Sequence, residues 1–129
     1  MRILDGIADL SAAVGTDLGA SPWLDIDQAR IDRFVEAAGD ATFFAVSLTN
    51  CFLPGLVEVR NVSMGVNYGT GHVVNGAPLQ AGDRVRASAE LLACDPVNGG
   101  VQAMIRITIE VDGRDEPACV VESLSRYLS

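Results

Sequence analysis

The sequence predicts an α+β fold in which a curved antiparallel sheet wraps around one long apolar helix. Three observations point to it. The stretch Gly39–Leu56, GDATFFAVSLTNCFLPGL, is apolar almost without a break, and Asp40 is its only ionisable side chain once Cys51 is set aside. Such a run suits a helix buried on every side, which a small chain can hold only if its other elements wrap around it. The second half of the chain then changes period, from helical spacing to strict alternation. Finally, 129 residues is the length of one ordinary domain, and 49% hydrophobic residues are enough for a real core. Residues 1–129 are therefore read as a single domain, with Asp40 at the mouth of the central helix.

Each element has its own signal. Ile3, Ile7 and Leu10 stand at helical spacing, so a short helix is expected before Gly15 and Gly19. Ser21-Pro22-Trp23-Leu24 reads as a loop or a short extended piece, with Trp23 a packing anchor rather than a ligand contact. Asp27 is a plausible N-cap for a helix from Gln28. Ile31, Phe34, Val35 and Ala38 give that helix one apolar stripe, and Gly39 fits its C-cap. The apolar run follows, ended or kinked by Pro54-Gly55. Val57 to Gly69 is β-branched with partial alternation and suits a strand or an irregular extended segment. Gly69, Gly71, Asn75, Gly76 and Pro78 make the next stretch loop-rich.

Three strands close the chain. Val85, Ala87, Ala89 and Leu91 alternate with Arg84, Arg86, Ser88 and Glu90. Val101, Ala103, Ile105, Ile107, Ile109 and Val111 alternate with polar residues, and Pro117 to Leu128 forms the last strand. Gly82-Asp83 is a turn, and Asn98-Gly99-Gly100 and Asp112-Gly113 are hairpin turns. A meander with one apolar face needs a cover, and the apolar helix supplies it.

Composition excludes several classes of function. Net charge is −8, with 9 Lys+Arg against 17 Asp+Glu. Nucleic acids and anionic membranes are poor partners for such a surface. The apolar run is too short, and too broken by Asn50, Pro54 and Gly55, to span a bilayer. Cys51, Cys94 and Cys119 are widely spaced and His72 is the only histidine, which argues against a zinc site. The cysteines read as small buried hydrophobes. No signal-peptide pattern follows Arg2, so a cytoplasmic protein with reduced thiols is expected.

Several segments resemble one family. Leu18-Gly19-Ala20-Ser21-Pro22-Trp23-Leu24, Asp27 through Phe34 and Ala37-Ala38-Gly39-Asp40 look like the opening of MaoC-like (NodN-like) hot-dog hydratases. Val66-Asn67-Tyr68-Gly69, the strand from Ala81-Gly82-Asp83-Arg84-Val85, and Pro117 to Glu122 look like its second half. The resemblance covers nearly the whole chain. It implies a hot-dog fold and a homodimer made by joining sheets. It also implies a departure. In the family, the Gly-Asp pair is followed by a catalytic histidine, an Asp-Pro segment and a loop ending in His-Gly. Asp and His together activate water for addition to a 2-enoyl thioester, or run the elimination. Asp40 matches that aspartate, but Ala45 stands where the histidine is expected and the following segments are missing. His72 lies too far along the chain to be the same residue. It would have to reach the pocket in space, for instance from a dimer partner.

Enoyl hydration needs a base for water and an acid for the proton, and Asp40 alone supplies one role. Loss of the loop implies a wider pocket lined by Phe43, Phe44, Val46, Phe52, Met64 and Tyr68. The preferred reading is a repurposed enzyme of polyketide-type biosynthesis whose pocket folds an unsaturated chain for cyclisation, without proton transfer. The alternatives are a residual dehydratase, hydratase or isomerase using Asp40, and a non-catalytic acyl-binding or partner subunit. Candidate catalytic residues are Asp40, Tyr68 and His72. Candidate substrate contacts are Phe43, Phe44, Ser47, Asn50, Cys51, Met64 and Asn67. No metal or cofactor is called for. The expected ligand is a small apolar or acyl molecule. Each candidate also has a structural reading. Asp40 can cap a helix, Asn50 can bond backbone, Tyr68 can sit in the core, and His72 can be a solvated loop residue.

Overall fold

The computed structural model describes every residue from Met1 to Ser129. Strand β1 (Arg2–Asp5) leads into α1 (Gly6–Ala12), then β2 (Asp17–Ala20), β3 (Leu24–Asp25) and α2 (Gln28–Ala38). Helix α3 (Phe44–Leu56) is followed by β4 (Val57–Arg60), β5 (Met64–Asn75), β6 (Arg84–Val97), β7 (Gly100–Val111) and β8 (Cys119–Leu128). The main sheet runs β2-β6-β7-β8-β5, with β3 also on β6, and its pairs are antiparallel. A separate parallel pair joins β1 to β4.

The α+β hot-dog architecture expected from the sequence is the observed one. α3 packs on the sheet against β6, β7, β8 and β5. β7 alternates perfectly between buried and half-buried residues, which puts Ala103, Ile105, Ile107 and Ile109 under the helix. Phe44, Leu48, Phe52 and Leu56 of α3 meet them in one core cluster. Each such side chain contributes roughly 2 kcal/mol through its removal from water. On the sheet's other face, Arg86 and Glu110 stand directly opposite and pair at 2.8 Å. Arg106 and Glu90 do the same at 2.7 Å, so charge pairing reinforces the register set by the apolar face.

Local signals explain the termini of α2. The Asp27 carboxylate accepts from the Arg30 backbone N–H at 2.7 Å, and Gly39 closes the helix at φ 96°. Several expectations are corrected. Ile3 belongs to β1, because pairing with β4 at Glu58 claims it before α1 starts. Residues 69–75 continue β5 rather than forming a loop; register shifts beside Gly69 and between Thr70 and Val73 absorb the broken period. α3 is buried on one face only, with Asn50, Cys51, Pro54 and Gly55 exposed, as is Phe43 at its N-cap. It runs through Pro54 to Leu56. Cys119 is buried and Cys94 half-buried, but Cys51 is exposed. Trp23 is a surface cover, with the Arg86 guanidinium 4.7 Å from its ring centre. No helix is long and apolar enough to cross a membrane.

Candidate functional site

Two clefts flank α3, one near each end. The first holds about 410 Å³ between the start of α3 and the loop after β5. Thr42, Phe44 and Ala45 form one wall, Asn75, Pro78 and Leu79 the other, and Ala118 contributes from the residue just before β8. Phe44 is held there by an edge-to-face contact with Phe34 of α2, centroids 5.4 Å apart.

The opposite wall depends on a close backbone approach. The Gly76 N–H donates to the Ala118 carbonyl at 2.8 Å, and a Cβ at Gly76 would collide with the Pro117 carbonyl. Arg114 secures the loop beyond. Its guanidinium donates to the Asp83 carboxylate at 2.8 Å and reaches the Pro78 carbonyl at 3.4 Å. The wall is thus fixed by one glycine and one partly buried ion pair.

Asp40 stands just before the lining residues Ala41 and Thr42, fully exposed. Its carboxylate accepts from the Thr42 backbone N–H at 2.9 Å. That bond, with the Thr42 hydroxyl second, holds its pKa below the usual carboxylate range. The N-cap position of α3 is Phe43, so Asp40 shapes the turn into the helix rather than capping it. No hydrogen bond or ion pair joins Asp40 to another acid or base.

The remaining candidates are dispersed. His72 is exposed on β5, and its backbone N–H donates to Glu122 Oε1 at 2.9 Å. Tyr68 is also exposed on β5, with the Arg126 guanidinium 3.6 Å from its ring centre. Met64 and Phe43 are exposed and line neither cleft. Cys51 is exposed and also outside both. Ser47 donates to the Phe44 carbonyl at 2.6 Å, which occupies its hydroxyl. Phe52 belongs to the core and Val46 packs partly buried against it. Of the expected pocket wall, only Phe44 lines the first cleft.

Asn50 and Asn67 come together elsewhere. The Asn67 side-chain N–H donates to Asn50 Oδ1 at 2.9 Å, across the mouth of the second cleft. That cleft holds about 270 Å³ between Leu53 and Pro54 of α3, the start of β5, and Ser125 and Tyr127 of β8. Burial pushes the Tyr127 hydroxyl pKa up, partly opposed by a hydrogen bond with Ser125.

Sequence reasoning missed Asn75, Pro78, Leu79, Ala118 and Arg114. Gly76-Ala77-Pro78 signalled a loop, but only the folded chain brings that loop over α3.

No family model matches the chain. It is 35% identical to 3-hydroxyacyl-thioester dehydratase Z of Mycobacterium tuberculosis, covering 100% of both chains. That alignment spans 151 positions against 129 residues here, so 22 or more positions have no counterpart in this chain. It is 27% identical to nodulation protein N of Rhizobium leguminosarum, over 87% of this chain and 84% of that protein. Among solved structures, a MaoC-like dehydratase from Rhodospirillum rubrum superposes with TM-score 0.73 at 16% identity, covering 95% of this chain and 96% of that one.

Proposed function

The chain belongs to the MaoC-like, NodN-like family of hot-dog dehydratases, and we propose that it is a member repurposed to fold an unsaturated, apolar acyl-type substrate for cyclisation. The observation that carries this reading is the first cleft itself. It is a half-open, mainly apolar cleft of about 410 Å³ with a lone carboxylate beside its mouth and no partner for proton relay. An intramolecular cycloaddition consumes two π bonds and forms two carbon–carbon σ bonds within one molecule. No proton is gained or lost, so a cleft that fixes the conformer supplies what the reaction needs.

Hydration makes the opposite demand. A general base works best with a pKa near the operating pH, and the Thr42 contacts pull Asp40 the other way. Only Gly39 to Phe43 separate α2 from α3, which agrees with loss of the family's catalytic segment at this point. The second reading, a residual dehydratase using Asp40, is favoured by the 35% identity to a 3-hydroxyacyl-thioester dehydratase. The partner in either reading is a second copy of the chain. β5 offers twelve residues with one edge free, and Met64, Val66, Tyr68 and Val74 are exposed along it.

Mass spectrometry separates the two chemistries. A conjugated polyene thioester incubated with the protein should lose absorbance with no change in mass if it cyclises. Hydration would add the mass of one water. Asp40→Asn should leave cyclisation within about threefold of the parent, whereas losing a sole base costs on the order of 10²-fold or more. Water addition that disappears in Asp40→Asn would establish the dehydratase instead.

A further inference from the structure

The second cleft has chemistry of its own, independent of the reaction assigned to the first. Its walls are Leu53, Pro54, Val57 and Val66, and its polar groups are the side chains of Asn50, Asn67, Ser125 and Tyr127. No charged side chain lines it. A carboxylate or phosphate would therefore lose its hydration without gaining a counter-charge.

The hydrogen-bond inventory narrows the ligand further. Asn50 Oδ1 already accepts from the Asn67 side-chain nitrogen. The Asn50 side-chain nitrogen remains as a donor, and Asn67 Oδ1 remains as an acceptor. The unused N–H groups of Asn50 and the unused side-chain oxygen of Asn67, on one cleft, can complement the C=O and N–H of a single secondary amide. Ser125 also lines the cleft, where only 6% of the residue is exposed, and its hydroxyl is already engaged with Tyr127. Leu53 and Pro54 would cover an apolar chain on the amide's flank.

We propose that the cleft formed by Asn50, Leu53, Asn67 and Ser125 is a binding site for a neutral secondary amide carried on a short apolar chain. It lies toward the opposite end of α3 from the first cleft. The helix has 13 residues, about 20 Å of axial length, so a chain reaching both clefts must be extended. The amide has two possible sources, the thiol-bearing arm of an acyl carrier or a free amide.

Backbone amide NMR of the intact protein tests this with two small probes of one shape, N-butylacetamide and butyl acetate. The ester keeps the carbonyl and lacks the N–H. The amide should shift the signals of Asn50, Gly65, Asn67 and Ser125 and bind about tenfold more tightly than the ester, one hydrogen bond's worth. In Asn67→Leu that tenfold preference should vanish. Pantetheine binding more tightly than N-butylacetamide would identify the carrier arm as the source; equal or weaker binding would identify a free amide. Equal affinity of ester and amide on the unaltered protein would overturn the proposal. So would shifts confined to Thr42, Asn75 and Leu79, and neither result depends on a variant that folds.

Discussion

β5 and β7 are strands of twelve residues in one sheet, and they behave as opposites. β7 lies between β6 and β8, and every second residue along it is buried. β5 pairs only with β8, carries two register shifts, and has no buried residue at all. The difference is one of cover. β7 has a strand on each side and α3 above it, so it completes its hydrogen bonds and its apolar contacts within one chain. β5 completes neither, and both clefts draw a wall from it: Gly65, Val66 and Asn67 at one end and Asn75 at the other. The strand that stabilises the fold and the strand that shapes the sites are different strands.

The largest expected effect tests the stabilising strand. Ile107 is 1% exposed in β7, whereas Val74 of β5 is 60% exposed. Ile107→Ala should cost roughly 2–5 kcal/mol in urea unfolding, because it leaves a cavity beneath α3. Val74→Ala should stay within about 0.5 kcal/mol for a single chain. Equal losses at the two positions would mean that β5 is covered in a way a single chain does not provide.

A middle-sized effect belongs to the strand between them. Cys119 of β8 pairs with Ile109 of β7 on one side and Asn75 of β5 on the other. Burial pushes its thiol from the ordinary 9.0 up to about 11. In the unfolded chain the thiol releases its proton first, so stability is full below pH 9 and falls as pH rises from 9.0 to about 11. The loss should be roughly 2 kcal/mol over that window and smaller in Cys119→Ala, where the raised Tyr127 hydroxyl alone still contributes at its upper end. Thiol reagents at neutral pH should label the exposed Cys51 first and Cys119 only on unfolding. Rapid labelling of Cys119 in the native protein would show that the β5 edge opens.

The same contrast decides what could be read from the sequence. Val101 to Val111 announced β7 because its period of two is unbroken, and Asp27 announced α2 because its side chain makes the capping bond. β5 was half legible. Val66 and Val73 have strand character, but glycines and bulges hide the period, so residues 69–75 looked like loop. α3 misled in the other direction. Its apolar composition suggested burial on all sides, yet Phe43, Cys51 and Pro54 face outward in a single chain. Phe44 was legible as a pocket residue because it is apolar and follows Asp40 by four residues. Asn75 and Leu79 were not, since loop residues gain their role from where the fold carries them. Asn50 and Asn67 were each recognisable as unusual, but seventeen residues of separation concealed their bond.

The smallest effect, and the one that most sharpens the comparison, concerns the free edge of β5. If β5 differs from β7 only because its partner is a second copy, a charge on that edge should matter to assembly and not to folding. Val66 is 39% exposed on β5. In a two-fold pairing each interface receives the substitution twice, so Val66→Lys adds two ammonium groups to it. Sedimentation should show dimer association weakened by about tenfold or more, near 1.4 kcal/mol, with the urea midpoint of the separated chain unchanged. Raising the salt concentration should recover part of the loss, because exposed like charges are screened. A Val66→Lys protein that still sediments as the parent would place the contact elsewhere. The unpaired edge of β5 would then be free to take a strand from a different hot-dog chain.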